Sequence, residues 1–514
     1  MTGRSACDRA PVGGTPMDIT SELASAIDRA DLNRIEALWE RHFYRLLLQD
    51  PALMDRAMAS LPADWADAHP RREMWRALTG ALGEGRQIPT PVLERFAAFV
   101  RHDESARPVD GLVLLHVRLG ELIAHGWGER ASALIDEIHL AVEEAEDRTG
   151  LTDILPVLFI LCAVARMLAH DETIAVEALF EAAHWASIGE GHPALASVNA
   201  HLALWHALEE RFVEAARLLG DPGPAPAVGT LAHRYQSVAF VVRALIALGK
   251  LDPGAARGWI ARVDEPTVTG ELEWLILHAR SRAAMLERQP WEAIHAIRTT
   301  LSTSYDRFPP SSFSGSLLRA DLAQLTQIAG DLRSAERVLR APGMREGNLA
   351  IDVSRARQAL LRGRPDDALT ILRSPMRDGF TPAHFPSGVV LAAAAERELR
   401  GEVSEEALDA AAAVIRAHGA SGALTEATPP VRELLLPRVG VEAADVPQLW
   451  ECVARVRLTR REQQVLRVLR RHSSVSDIAA ALFVSELTAA ASLKALYRKL
   501  GAHTREEALW LAGE

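Results

Sequence analysis

The chain has 514 residues, of which 48% are hydrophobic and 24% are charged. This amount of apolar surface can form a large core and excludes a mostly disordered protein. Aromatic residues make up only 5%, Ala, Leu, Arg and Glu dominate, and the formal net charge is −11. The composition favours helices over strands.

Residues 1–17 have neither an apolar stretch nor a periodic pattern, and we expect an unstructured tail without a secretory signal. Met17 is a second candidate, beside Met1, for the start of the chain. The longest apolar run, 155–165, contains Pro156 and is shorter than the roughly 20 residues that a membrane span needs. The three cysteines lie far apart without CxxC spacing, which predicts no disulfide or cysteine zinc site and fits a reducing cytoplasm.

Residues 18–425 predict a succession of helices, because apolar residues recur at i, i+3, i+4 and i+7 and no stretch alternates with period two. Short polar or Gly/Pro-containing turns recur between them. Each turn is followed by an alanine early in the next helix: Ala131, Ala215, Ala255, Ala293, Ala335, Ala368 and Ala407. A small side chain at this place lets two helices of a hairpin approach closely.

From Ala215 onward these alanines are 40, 38, 42, 33 and 39 residues apart. Such steps are typical of helix–turn–helix hairpins stacked as a solenoid. The hairpins resemble tetratricopeptide repeats, although the aromatic and glycine positions of that family are not regularly present. An irregular helical domain without true repeats is the alternative, and both readings are all-α.

Catalytic and nucleotide-binding motifs are missing from the sequence. It contains no GxxxxGK[ST], no GxGxxG after a strand, no HExxH and no GxSxG, so we predict no enzyme, no cofactor and no metal site. His201 and His206 are five residues apart, which does not place them on one helical face. The acidic pairs 143–144 and 209–210 are expected on solvated faces. An enzyme hidden in the helical body has no motif to support it.

The helical array is expected to end near residue 425, because 419–431 is rich in small residues and contains the Pro429–Pro430 pair. Residues 426–457 are then a linker to a C-terminal domain, 458–514. Residues 451–514 carry eleven Arg/Lys and seven Asp/Glu, a net charge of +4, while the rest of the chain carries −15. Only this basic end is expected to meet a polyanion. The chain has 54 arginines and only three lysines, a ratio that is typical of a GC-rich bacterial genome.

The C-terminal block reads as four helices. Thr459 is a candidate N-cap with Glu462 as its capping-box partner, and the first helix buries Val465, Leu466 and Leu469. A short helix, 476–482, a turn at Phe483–Val484 and the N-cap Ser485 precede a longer helix, 486–500. The longer helix carries a core stripe of Ala489, Leu493, Leu496 and Leu500 and ends at Gly501. A last helix, 505–512, packs Ala508, Leu509 and Trp510.

A short helix, a tight turn and a longer helix with one buried stripe form a helix-turn-helix. At this point the sequence resembles the LuxR-type DNA-binding domain. The matching residues are Leu458-Thr459, Arg461-Glu462, Val465-Leu466, Ile478-Ala479, Leu482, Val484-Ser485, Thr488, Tyr497 to Gly501, Arg505 and Ala508.

The resemblance implies a cytoplasmic bacterial transcription regulator that binds double-stranded DNA as a dimer on paired half-sites. The helical-repeat body would sense an unknown small-molecule or protein effector. Large LuxR-type regulators with helical-repeat sensors also carry an ATPase module, which is missing here because the sequence has no P-loop.

The resemblance also assigns roles within the recognition helix. The positions of Ala490, Ala491 and Lys494 read bases, while Arg498 and Lys499 contact phosphate. Ser485 and Thr488 offer hydroxyls to phosphate at the helix N-terminus.

After Ser-x-x-Thr the family usually continues Val-Lys-x-His, whereas this chain has Ala489 to Ser492. An alanine can contact only a thymine methyl, and each lost bidentate contact lowers discrimination by about 1–3 kcal/mol. Two alternatives therefore stay open. The basic residues could simply solvate a small domain, or the domain has lost specific DNA binding and the protein is an interaction scaffold.

Overall fold

The structure is a computed structural model, which describes residues 18–62, 64–84, 87–125, 127–169, 171–188, 191–221, 231–263, 269–344, 348–376, 380–450, 460–500, 502, 504, 505, 508 and 509. Every regular element within these ranges is a helix. The all-α prediction is therefore confirmed.

Among the described residues, nine α-helices build the N-terminal part around one hydrophobic core. They are α1 (Ile19–Asp28), α2 (Leu32–Gln49), α3 (Pro51–Ser60), α4 (Pro70–Glu84), α5 (Thr90–His102), α6 (Pro108–Ala124), α7 (Gly128–Glu143), α8 (Leu151–Leu168) and α9 (Glu172–Ile188). By length and hydropathy α8 could cross a membrane, but 78% of it is buried inside the protein. Its apolar surface is thus used for packing against α2, α6, α7 and α9.

A buried carboxylate accepts the backbone amides that follow a break in α2. His42 has non-helical backbone angles, which leaves the following amides without helical acceptors. The Asp153 carboxylate on α8, 5% exposed, accepts the N–H of Tyr44 at 2.8 Å and of Arg45 at 2.9 Å. It therefore acts as an N-cap supplied by another helix.

The next twelve helices form hairpins, in which a longer first helix is usually followed by a shorter second one. They are α10 (Ala194–Leu208), α11 (Phe212–Leu219), α12 (Leu231–Gly249), α13 (Pro253–Ile260), α14 (Thr269–Leu286), α15 (Pro290–Thr303), α16 (Phe313–Ile328), α17 (Leu332–Leu339), α18 (Leu349–Leu361), α19 (Pro365–Arg373), α20 (Pro386–Arg400) and α21 (Glu405–His418). The first helices α10, α12, α14, α16, α18 and α20 pack side by side in this order.

The turns inside the first five of these hairpins repeat one backbone geometry. A residue with positive φ is followed by the N-cap of the second helix, and these residues are Glu210, Leu251, Arg288, Gly330 and Gly363. The fourth residue of the second helix then faces the first helix of the same hairpin. Examples are Ala215, Ala335 and Ala368, which are all 0% exposed.

The predicted packing positions are only partly confirmed. Ala255 is exposed, and Ala256 is buried in its place, because Asp252 caps α13 and Pro253 occupies its first position. Leu408 rather than Ala407 is fully buried, and Ala293 is only partly buried beside Ile294.

The hairpins curve until the two ends of the series touch. Both oxygens of Glu210 accept hydrogen bonds from Ser387, 177 residues later, at 2.7 Å from its N–H and 2.5 Å from its hydroxyl. Next to this contact His418 lies 3.3 Å from Glu214. Glu210 is therefore not on a solvated face, as the sequence suggested, whereas Glu143 and Glu144 are exposed.

Residues 421–450, here called the closing segment, fold back over the hairpins. They contain a 3-10 helix (Ser421–Glu426) and α22 (Pro429–Val439). Most of this segment was expected to be linker, but Val431 and Leu435 are completely buried. Pro429 begins α22 instead of ending the array, because the first turn of a helix needs no proline N–H. Gly422 allows close approach, since a Cβ there would lie 3.1 Å from the Leu248 carbonyl oxygen.

Candidate DNA-binding interface

Three helices form the core of the C-terminal domain: α23 (Arg460–Arg471), α24 (Val475–Leu482) and α25 (Glu486–Leu500). The side chains of Val465, Leu466 and Leu469 on α23 are buried, as predicted. They pack against Ile478 and Leu482 of α24. Thr459 and Gly501, the expected start and stop signals, lie outside the described residues.

The axes of α24 and α25 are bent by 101° relative to each other, the crossing expected for a helix-turn-helix. Phe483 makes the sharp turn in the left-handed conformation with φ 54°, and its ring is 95% exposed. The Ser474 hydroxyl caps α24 by accepting the Asp477 N–H at 3.1 Å. Ser485 caps α25 in the same way through the Thr488 N–H at 3.2 Å. The turn and the cap at Ser485 agree with the prediction.

α25 has one buried and one exposed side. Ala489, Leu493 and Leu496 are buried in the domain core, as the stripe predicted, and the side chain of Leu500 lies outside the described set. The positions on the other side are exposed: Leu487, Ala490, Ala491, Lys494 and Arg498. This face is available to a partner.

The N-terminal end of α25 presents two exposed hydroxyls. Ser485 Oγ and Thr488 Oγ1 are 2.8 Å apart and hydrogen-bonded to each other. Ser492 donates its hydroxyl back to the Thr488 carbonyl at 2.8 Å and so faces its own helix. The hydroxyls lie where the helix dipole favours an anion.

Two cations follow one turn apart along the exposed side. Lys494 and Arg498 line a shallow groove together with Ala490, Val475 and Tyr497. Lys499 differs, because its ammonium lies 2.5 Å from the Glu462 carboxylate and ties α25 to α23. A phosphate would have to compete with this carboxylate for Lys499.

Arg505 has a structural role that the sequence did not reveal. Its guanidinium donates hydrogen bonds to the carbonyl oxygens of Leu469 at 3.0 Å and Arg470 at 3.1 Å. These carbonyls end α23 and lack helical partners. Arg505 therefore fastens the C-terminal turn, in which Ala508 is buried, to the first helix. Trp510, expected in the last helix, lies outside the described residues.

The body touches the C-terminal domain through Trp291 of α15, which packs against the hydrophobic core of that domain. In this arrangement the exposed side of α25 stays uncovered, including Ala490, Ala491 and Lys494. The contact therefore does not occupy the face that the sequence assigned to DNA.

The part of the chain that the structure describes contains no group of three or more His, Cys, Asp or Glu side chains that could hold a metal. Burial lowers the pKa of His201, whose Nδ1 lies 2.8 Å from the Ser197 carbonyl oxygen. Burial raises the pKa of the Cys162 thiol to about 12, which makes it a poor nucleophile.

Comparison with known families agrees with the geometry. Residues 456–512 match the family described as "Bacterial regulatory proteins, luxR family". No curated protein and no solved structure matches the chain. Residues 456–512 are therefore a helix-turn-helix domain of the LuxR type.

Proposed function

We propose that the protein is a cytoplasmic bacterial transcription regulator whose C-terminal domain binds a duplex and whose helical-repeat body senses an effector. The exposed side of α25 carries this proposal, because Lys494 and Arg498 lie on it and the hydroxyls of Ser485 and Thr488 are exposed at the N-terminal end of the same helix. Long cationic side chains can read bases or contact phosphate, and hydroxyls at a helix N-terminus can contact phosphate.

The charge of the rest of the molecule agrees with this assignment. Residues 1–450 carry a net charge of −15, so phosphate repels the body and only the basic end approaches DNA. Paired half-sites would be bound by two copies, as the family resemblance implies. We assign no catalytic role, since LuxR-type regulators are generally not enzymes.

A second candidate is an interaction scaffold without specific DNA binding. It is favoured by the short, apolar side chains of Ala490 and Ala491 on the exposed side of α25. Leu487 lies on the same side and is 83% exposed. These three side chains offer no hydrogen-bond donor to a base edge.

Fluorescence anisotropy of the full chain with labelled duplex at low salt separates the two candidates. Arg498→Glu should abolish binding because it reverses a charge on the interface. The matched control is Arg400→Glu, the same change at an exposed position of the body, which should bind like the wild type. No binding by the wild type, or equal loss in both variants, supports the scaffold.

A further inference from the structure

A chamber of about 80 Å³ lies inside the curved array of hairpins. Its walls come from α10, α12, α14, α16 and α18, and the closing segment covers it with Gly422, Ala423, Thr425 and Leu449. A water molecule takes up about 30 Å³ in the liquid, and an engineered cavity of about 150 Å³ holds benzene. The chamber therefore has the size of a small molecule with a few non-hydrogen atoms.

Most of the wall is apolar. The hydrophobic side chains that line it include Phe212, Leu245, Leu248, Met285, Leu317 and Leu449. Such a surface favours a ligand with a hydrocarbon part, and a small number of polar groups then fixes its orientation.

Four ionisable side chains also line the chamber: Glu210, His278, Arg282 and Asp321. Both oxygens of Glu210 accept hydrogen bonds from Ser387. Asp321, 3% exposed, lies 2.8 Å from the His278 ring through its Oδ2. The two carboxylates thus have partners within the protein.

Arg282 is different. Among the described residues, its hydrogen bonding is limited to one contact, from Nη1 to Gln324 Oε1 at 2.9 Å. A guanidinium has five N–H donors in one plane. No carboxylate is hydrogen-bonded to this fork, although the charge of Arg282 acts on the Glu210 carboxylate. A guanidinium fork matches the two oxygens of a carboxylate in a bidentate pair.

We propose that the chamber binds a small organic carboxylate, held at its charged end by Arg282 and along its short carbon chain by Leu245, Leu248 and Met285. Burial raises the pKa of Glu210 although the charge of Arg282 and the hydrogen bonds from Ser387 oppose this shift, so this residue repels an incoming carboxylate less than an ordinary glutamate would. The other anion, Asp321, is paired with His278.

The regulatory meaning of this site rests on the proposed function. A bound molecule would touch Thr425 and Leu449 of the closing segment, and residues 451–459 connect that segment to α23. Occupancy of the chamber would therefore act on the closing segment, which precedes the C-terminal domain in the chain.

The test is isothermal titration calorimetry of the full chain in a chloride buffer, with propionate as the probe. Propionamide has the same shape without the charge, and propylammonium has the opposite charge. The proposal predicts saturable binding of propionate at millimolar concentrations or below, at least tenfold tighter than either control compound. Equal binding of propionamide, preferred binding of propylammonium, or no saturable binding of propionate overturns it.

Three variants test the position. Arg282→Met should weaken propionate binding at least tenfold, and Ala350→Leu should weaken it as well by filling the chamber, which Ala350 lines. Arg280→Met, an exposed position on the same helix, is the control and should bind like the wild type. Circular dichroism verifies that each variant is folded. Wild-type affinity in both folded chamber variants refutes the site.

This titration contains no DNA, so its outcome is independent of the proposed function. If the protein binds duplex but not propionate, only the chamber proposal is refuted. If it binds propionate but not duplex, only the regulator proposal is refuted.

Discussion

The buried Arg357 should hold the closing segment onto the hairpins. Its Nη1 lies 2.7 Å from Glu426 and its Nη2 donates to the Leu449 carbonyl at 2.6 Å. Its guanidinium also lies 4.6 Å from the centre of the Trp450 ring. The side chains of Arg357 and Glu426 are only 1% and 3% exposed. One residue of α18 therefore binds the segment at two ends.

Replacing Arg357 by Met leaves the Glu426 carboxylate buried without its cation. Removing one partner of a buried ion pair costs about 3–5 kcal/mol. Because about 1.4 kcal/mol corresponds to a factor of ten, local opening of the closing segment should become roughly 10² to 4 × 10³ times more frequent. The cost should fall in the double variant Arg357→Met/Glu426→Gln, since no unpaired charge then stays buried.

Hydrogen–deuterium exchange of peptides from residues 421–450 measures this opening directly. The control is Arg362→Met at the C-cap of the same helix, which removes a partly exposed pair with Glu336 and should change exchange by less than about tenfold, since such pairs contribute about 0–1 kcal/mol. Equal exchange in the Arg357→Met and Arg362→Met variants would refute the assigned role of the buried pair. So would the absence of any rescue by Glu426→Gln.

Three further expectations concern the interface and the closed array. Lys494→Ala should change which duplexes the protein prefers, whereas Lys499→Ala should weaken binding to all duplexes alike. Competition assays with duplexes of different sequence measure both effects. Equal, sequence-independent losses of affinity in the two variants would contradict the assignment. Ser485→Ala removes the cap of α25, which costs about 1 kcal/mol; amide exchange in α25 should rise about fivefold, and an unchanged rate would argue against the cap. Burial raises the pKa of Glu210 from the usual 4.5, so its ionisation in the folded state lowers stability as pH rises above that value. The Tm of Glu210→Gln relative to wild type should therefore be higher at pH 8 than at pH 4.5, and a difference independent of pH would contradict the raised pKa.

Local sequence signals predicted the C-terminal domain well. The bounds of α25 and the cap at Ser485 follow from neighbouring residues, because a cap and a buried stripe are properties of one helix. The contact between Lys499 and Glu462 was missed, since the two residues are 37 positions apart on different helices and both side chains could equally well face solvent. The role of Arg505 was missed for the same reason.

The body was predicted as a series of hairpins but not as a closed one. Turn spacing reveals how consecutive helices pair, whereas the contacts of Glu210 with Ser387 and of Arg357 with Glu426 join distant parts of the chain. Pro429 was misread because proline ends one helix and begins another with equal ease. Consequently the chamber, whose wall combines distant hairpins with the closing segment, could not be found from the sequence.

Selection of bound duplexes from a random library by the full-length protein, at low and at moderate salt, tests the central proposal most directly. The account predicts an enriched motif with two half-sites and an affinity that falls steeply with salt, with a slope of about −0.9 in log K against log salt for each phosphate contacted. It also predicts that the motif disappears in the Lys494→Ala/Arg498→Ala variant. An unenriched pool, an affinity that does not change with salt, or the same motif in the variant would contradict the role assigned to α25.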